Sequence, residues 1–465
     1  MDENFDIILR EIDIGGKKAI LLFVDGFVDS NVTTMIMSDL MMAEREQIVP
    51  HTMQKVFRSH LPYMEVEMVE SLDEVVDSIL RGPMALLIDG ETEALIIDSR
   101  IYPGRDPEEP DIERVTRGSR DGFVETMLFN ITLVRRRLRD PQLTVNILSV
   151  GRRSKTDVAM LYIKDICNPA LVENVRRRIE KIDIDALPMA EKSLEEFIKE
   201  SRWNIFPEVR YTERPDVAAV HLLEGHVLLI VDTSPSVIIA PTTLFHHLQH
   251  AEEYRHDPII GIYIRWVRLL GVFFSFLLVP LWMLVVMEPQ LLPPVLDFIG
   301  PKDTSQIPIM IQFLLAHLGI DLLRMASIHT PSPLAVALGL VGALLIGDIA
   351  VNVGFFVPEV LLYMGLVAVG IFSTPSWELS MANRIVLLFL ILLTGMFHLP
   401  GLIAGLIILF VRLVTTRSFG YPYMWPLWPL NIRELIGVFF RKPVPQQRLR
   451  PDLLKTIDDD RFPKR

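Results

Sequence analysis

Cysteine is nearly absent. Cys167 stands alone in 465 residues, which excludes an intrachain disulfide framework and a cysteine-based metal cluster and suits a domain facing a reducing compartment. Catalytic signatures are missing as well. There is no phosphate-binding glycine loop, no nucleophile elbow and no zinc-protease helix, so neither an enzyme nor a cofactor-dependent protein is expected. The opening residues Met1-Asp2-Glu3-Asn4 carry no basic segment and no apolar core precedes Gly15, so a signal peptide is not expected either. The charge balance of 46 Lys and Arg against 58 Asp and Glu, a net −12, argues against a nucleic-acid partner.

What is present divides in two. Half of the residues are hydrophobic while 22% are charged, a mixture expected of a soluble part joined to a membrane part. Residues 1–250 alternate apolar strands with amphipathic helices and predict two small α/β subdomains, 1–140 and 141–250. Lys18–Val28 and Leu143–Val150 read as strands, and Met84–Ile97 as two strands around a polar turn. Helix starts are marked by Asp29, Ser30 and Asn31 as alternative caps, by Ser71 and by Asn168-Pro169. Gly118–Leu138 carries a helical apolar stripe closed by Arg135, Arg136 and Arg137, and Val217–Asp232 reads as a hairpin. His246 and His250, spaced by one helical turn, match a metal-bridging pair. A juxtamembrane helix linking the hairpin to the first span is the preferred reading, and no metal site is assigned.

Hydropathy rises after Asp257-Pro258, and residues 251–415 predict an all-α transmembrane bundle, followed by a basic tail at 416–465. Leu269–Met287 is uncharged for 19 residues, long enough to cross a bilayer. Arg265 and Arg268 precede it and no arginine follows in the next loop, which predicts a cytoplasmic N-terminal domain and tail. Residues 307–325 read as a short or partial segment, 334–356, 359–372 and 385–411 as further segments, and four full crossings satisfy the charge rule. Ala335, Gly339, Ala343 and Gly347 form a small-residue stripe suited to helix packing. Asp348 and Asn352 share a helix face, and Glu359 follows Pro358. A carboxylate at membrane depth must be paired, protonated or facing water, so these three are candidates for an ion path.

Several motifs, taken in order, carry a family resemblance. They are Arg117-Gly-Ser-Arg-Asp-Gly-Phe-Val-Glu-Thr with Asn130 and Leu133-Val-Arg-Arg-Arg137, Asn168-Pro169, Tyr211-Thr-Glu-Arg-Pro-Asp216, Leu223-Glu-Gly225, Ile346-Gly347 and Tyr421-Pro-Tyr423. Together they resemble the A-type subunits of bacterial spore germination receptors, the GerA family. Arg120, Glu125, Asn130, Arg135, Arg136, Glu213 and Arg214 are the soluble-domain positions that match. Two positions depart: His226 stands where the family pattern has arginine, and Asp348 where it has glutamine. The resemblance implies a subunit of an oligomeric complex in the spore inner membrane, working with other membrane germination proteins to release cations. Spans interrupted by glycine and proline also fit a secondary transporter, and a non-conducting signalling or scaffold subunit is the third reading.

Overall fold

The computed structural model describes residues 7–25, 27–61, 65–101, 105–110, 113–300, 306–329 and 349–462. The chain forms two compact units, dividing between Asp106 and Pro107. In the first unit, strands β1 (Ile7–Ile14) and β2 (Lys17–Val24) are followed by helix α1 (Ser30–Met41), strand β3 (Val66–Val69), helix α2 (Leu72–Leu80) and strands β4 (Met84–Ile88) and β5 (Ala94–Ile97). The antiparallel sheet runs β1-β2-β4-β5-β3. Its first hairpin turns on Gly15 and Gly16, both at positive φ (53° and 79°), the backbone a two-residue turn between twisted strands demands. The Asp13 carboxylate accepts the Gly16 N–H at 2.7 Å. Asp29 caps α1 and Ser71 caps α2 through their side chains, as their positions in the sequence predict.

The second unit opens with α3 (Met127–Arg137), then β6 (Leu143–Val150), β7 (Thr156–Ile163), α4 (Pro169–Glu180), α5 (Ala190–Ile198), β8 (Arg210–Thr212), α6 (Pro215–Leu223), β9 (Val227–Val231) and β10 (Val237–Ala240). Its sheet runs β6-β7-β9-β10-β8. Renumbered from its own first strand, this is the order of the first sheet, so one strand plan is used twice. Helices cover both faces. Leu228 and Ile230 of β9 join the cluster holding Leu133 of α3 and Leu222 of α6, while Val227, Leu229 and Val231 join Leu171, Val175 and Leu194 from α4 and α5. A strand buried on both sides needs no polar alternation, which explains the unbroken sequence Val-Leu-Leu-Ile-Val.

Three sequence expectations are corrected here. The junction expected near residue 140 falls inside the second unit, because α3 packs on the second sheet. Val217–Leu223 is helix α6, entered through Pro215 in its first turn; a short apolar run cannot be told from a strand by periodicity alone. Residues 118–126 precede α3 as irregular chain, since their backbone bonds elsewhere. Phe123 N–H donates to the Glu213 carbonyl at 2.8 Å, and Thr233 N–H to the Glu125 carbonyl at 2.9 Å.

Among the described residues, the helical part contains α7 (Pro258–Met287), α8 (Ile309–His329), α9 (Pro358–Phe372) and α10 (Trp377–Thr415), followed by the amphipathic α11 (Ile432–Phe439). Three of these, α7, α8 and α10, are long and apolar enough to cross a membrane. The last is two arms, 377–397 and 399–415, that meet at His398, whose φ of 56° and ψ of −138° are not helical. The arms fold back on each other. Gly405 lies against Leu390, and Leu379 and Leu413, at opposite ends of the segment, line the same cavity.

Candidate functional site

Of the expected ion-path residues, Asp348 lies outside the described residues, as do Ala335, Gly339, Ala343 and Gly347. Asn352 is exposed. Glu359 is half-buried in the first turn of α9 behind Pro358, where a carboxylate suits the helix dipole. The structure brings together a different set of polar groups. Asp321 of α8 pairs with Arg384 of α10, and His317 Nε2 lies 3.2 Å from the same carboxylate. One turn beyond Asp321, the Arg324 guanidinium stacks 3.7 Å above the Trp377 ring. Near the other end of α8, the Gln312 amide accepts the N–H of Val357 at 2.9 Å and donates to the Ile307 carbonyl at 2.8 Å. That ties α8 to the start of α9. Asn383 donates to Ser275 at 3.1 Å, and Gly271 and Gly370 let α7 and α9 approach backbone to backbone. Asp321 and Asn383 thus meet a polar side chain on a neighbouring helix and Gln312 a backbone N–H, the arrangement a low-dielectric surrounding favours.

Where the helices leave the α/β layer a second node forms. Glu253 is fully buried and pairs with Arg265 at 2.6 Å and with Arg268, both on the first turns of α7. Arg265 also donates to the carbonyls of Gly437 and Val438, each at 2.9 Å, and Arg441 donates to the carbonyls of Glu253 and His256, each at 2.7 Å. The two ends of α10 are held as well. His247 Nδ1 lies 3.0 Å from the Ser376 hydroxyl, and Ser418 donates to the Glu208 carbonyl and accepts the N–H of Thr242 at 2.9 Å.

The matched motif residues of the soluble domain explain why residues 113–126 stay in place. Arg214 is fully buried, pairs with Asp216 at 3.0 Å and donates to the carbonyls of Glu113 and Ser119. Asn130 bonds both backbone groups of Val124, and Glu213 accepts from Ser236 at 3.1 Å. Arg135 reaches the Asp140 carbonyl at 3.2 Å. Arg120 and Arg136 are exposed and face the same open cavity as Arg139. Arg214, Asn130 and the Glu213 carbonyl thus clamp residues 113–126, whereas Arg120, Arg135 and Arg136 lie outside that clamp.

His246 and His250 do not share a helix face. The segment forms two short 3₁₀ turns with His250 extended between them. His246 instead meets His221 and His226, with ring centroids 5.1–5.8 Å apart. His221 and His226 donate Nδ1–H to the carbonyls of Val217 and Pro241 at 2.9 and 2.8 Å. Burial, reinforced by the nearby Arg210 charge, pushes His226 down to about 4 and His247 to about 3. Burial, with Arg268 and Arg210, lowers His250 to about 4. Burial likewise holds His221 and His246 well below the usual histidine range. The histidine trio was not legible in the sequence, because β9 and β10 separate its members.

A soluble α/β region joined to a helical region whose spans are tied by buried polar pairs defines a polytopic membrane protein with an integral soluble module. The family model described as Bacillus/Clostridium GerA spore germination protein matches residues 1–453, and the chain belongs to that family. Stage V sporulation protein AF of Bacillus subtilis (strain 168) is 48% identical over 454 residues, spanning 98% of this chain and 92% of that protein. Spore germination protein KA of the same organism is 31% identical, spanning 97% and 84%. Spore germination protein GerLA of Bacillus cereus is 30% identical, spanning 99% and 94%. Among solved structures, the N-terminal domain of the A subunit of the Bacillus megaterium spore germinant receptor GerK3 matches at 27% identity, covering 52% of this chain and 89% of that one, with a TM-score of 0.23.

Two predictions follow from this geometry. Asp321→Asn and Arg384→Gln each lower the thermal stability of the detergent-solubilised protein by about 2–3 kcal/mol, less than a fully buried pair because Asp321 keeps a third of its side chain exposed. The charge-reversed double variant recovers part of that loss; a double no more stable than the sum of its singles shows that the pair does not hold α8 to α10. The histidines set a pH dependence. Folded, His226 and His250 remain neutral until pH falls towards about 4, whereas unfolded they take up protons near 6.5, so the unfolded state binds more protons in between. Stability is therefore complete above about pH 6.5 and falls below it, by about 1.4 kcal/mol per histidine per pH unit. Melting scans from neutral to acid pH should show that slope, reduced by one proton in His226→Asn, and a flat profile contradicts it.

Proposed function

We propose that this chain is a membrane subunit acting in spore germination, assembling with copies of itself and with other membrane germination proteins into a cation-releasing channel or signalling complex. What carries the reading is the joining of a soluble module to polar-tied helices through one buried charge node, Glu253 with Arg265 and Arg268. A movement of the α/β layer reaches α7 directly through that node, and α7 packs along both α9 and α10. The soluble domain would set assembly and gating, and the bundle would supply the path, with Asp348, Asn352 and Glu359 favouring cations. The orientation proposed is cytoplasmic, on the spore-core side of the inner membrane, for the soluble domain and tail. Arg265, Arg268 and Arg412 all stand at the helix ends nearest the α/β layer, which supports it. The close relation to stage V sporulation protein AF and to germination proteins KA and GerLA supports the process. Neither a catalytic role nor a cofactor forms part of this reading.

Potassium flux through the purified protein in liposomes tests conduction. Wild-type protein is expected to pass the ion, with Asp348→Asn reducing flux or cation selectivity and Glu359→Gln doing so more weakly. Absence of flux from wild-type protein alone contradicts conduction by this chain and leaves the signalling role.

A further inference from the structure

Two cavities meet beside the start of α7, and their chemistry is opposite. The first, of about 170 Å³, is lined by Arg265, Arg433, Arg441, Lys442, Arg448 and Arg461, against only two carboxylates, Glu224 and Glu434. Arg265 is matched by Glu253 and Arg461 by Glu224 at 2.6 Å. Arg433, Arg441, Lys442 and Arg448 form no ion pair among the described residues. Arg441 is 92% buried, at 8% exposure, and its Nε finds no hydrogen-bond partner among the described residues. A buried guanidinium with an unpartnered donor, set among surplus positive charge, favours an anion beside it.

The second cavity, of about 410 Å³, lies between α7 and the two arms of α10. Its lining is apolar except for Asn383, with Trp266, Leu270 and Phe273 on one side and Leu379 and Leu413 on the other. The two spaces share the wall at Phe245. On α7 the basic side is Arg265 and the apolar side Trp266; on α11 they are Val438 and Phe439. Trp266 and Phe439 stack at 5.5 Å between ring centroids. α11 exposes Ile432 and Ile436, and Phe440 just beyond it is exposed as well, an apolar surface suited to a helix that lies along a membrane.

We infer that this juxtaposition is a binding site for an anionic phospholipid, its phosphate in the basic cavity and one acyl chain in the apolar one. A free phosphate would satisfy the cations but leave the apolar cavity unused, and a zwitterionic lipid would leave the surplus charge unmatched. The site would tie the position of α11 and α7 to the lipid around them, whether or not the chain conducts.

The test uses the full-length protein in phosphatidylcholine vesicles in which phosphatidylglycerol with brominated acyl chains replaces a rising fraction of the lipid. Bromine quenches a tryptophan it touches, and Trp266→Phe identifies the part of the signal that comes from this site. Saturable quenching of that part by brominated phosphatidylglycerol is expected, with only weak, linear quenching by brominated phosphatidylcholine. The double variant Arg433→Gln/Lys442→Gln, both exposed positions, should raise the half-saturating fraction about thirtyfold, since each cation near an anionic surface contributes about fivefold. Circular dichroism of the same samples shows whether that variant is folded. Equal quenching by the two lipids overturns the inference, as does displacement of the brominated lipid by inorganic phosphate, which would mark a site for the free ion.

Discussion

A carboxylate with no solvent exposure cannot persist without a compensating charge, and Glu253 has two. Arg265 and Arg268 come from α7, so the last turn of the α/β layer and the first turns of the leading helix are fixed by one charge group. Arg265 extends the link to the backbone of α11, and Arg441 returns from beyond α11 to the carbonyls around Glu253. The exit of the soluble layer, the entry of the bundle and the tail therefore share a single electrostatic node. With two guanidiniums for one carboxylate, and a third close by, the node carries excess positive charge, and the cavity beside it inherits that excess.

The helices depend on the same logic at lower charge density. Asp321 with Arg384, Gln312 with the Val357 N–H, and Asn383 with Ser275 are each a polar group that an apolar helix tolerates only when a neighbour supplies the partner. Such pairs specify which helix lies beside which, a task that apolar side chains alone perform poorly when lipid is as apolar as protein.

Much of this was legible one residue at a time. Asp29, Ser71 and Asn168 announced helix starts because capping is a local property, and His398-Leu-Pro-Gly401 carries its helix-breaking Pro-Gly pair in the sequence itself. What the break does, folding 399–415 back along 377–397, depends on packing between Leu390 and Gly405 and has no local signal. Asp321 and Arg384 are charges at the margins of apolar runs, yet their pairing spans 63 residues. The histidines show the opposite failure. The spacing of His246 and His250 suggested a shared helix face, but His250 is extended, and the true neighbours of His246 precede β9 and β10 in the chain. The motif residues Arg214, Asn130 and Glu213 were recognisable as family features before their work as a clamp on residues 113–126 could be seen. Asp348, the most suggestive departure from the family pattern, lies outside the described residues, so its role rests on sequence and on the flux measurement.

The central claim, that the α/β layer and the bundle move as one through Glu253, is tested most directly by hydrogen–deuterium exchange on the full-length protein carrying Glu253→Gln. Removing the carboxylate leaves Arg265 and Arg268 without their shared anion. The account predicts faster exchange at residues 246–256, at the start of α7 and in α11, while the first unit, residues 7–101, is unchanged. Increased exchange confined to residues 246–256, with α7 and α11 as protected as in wild type, would contradict it.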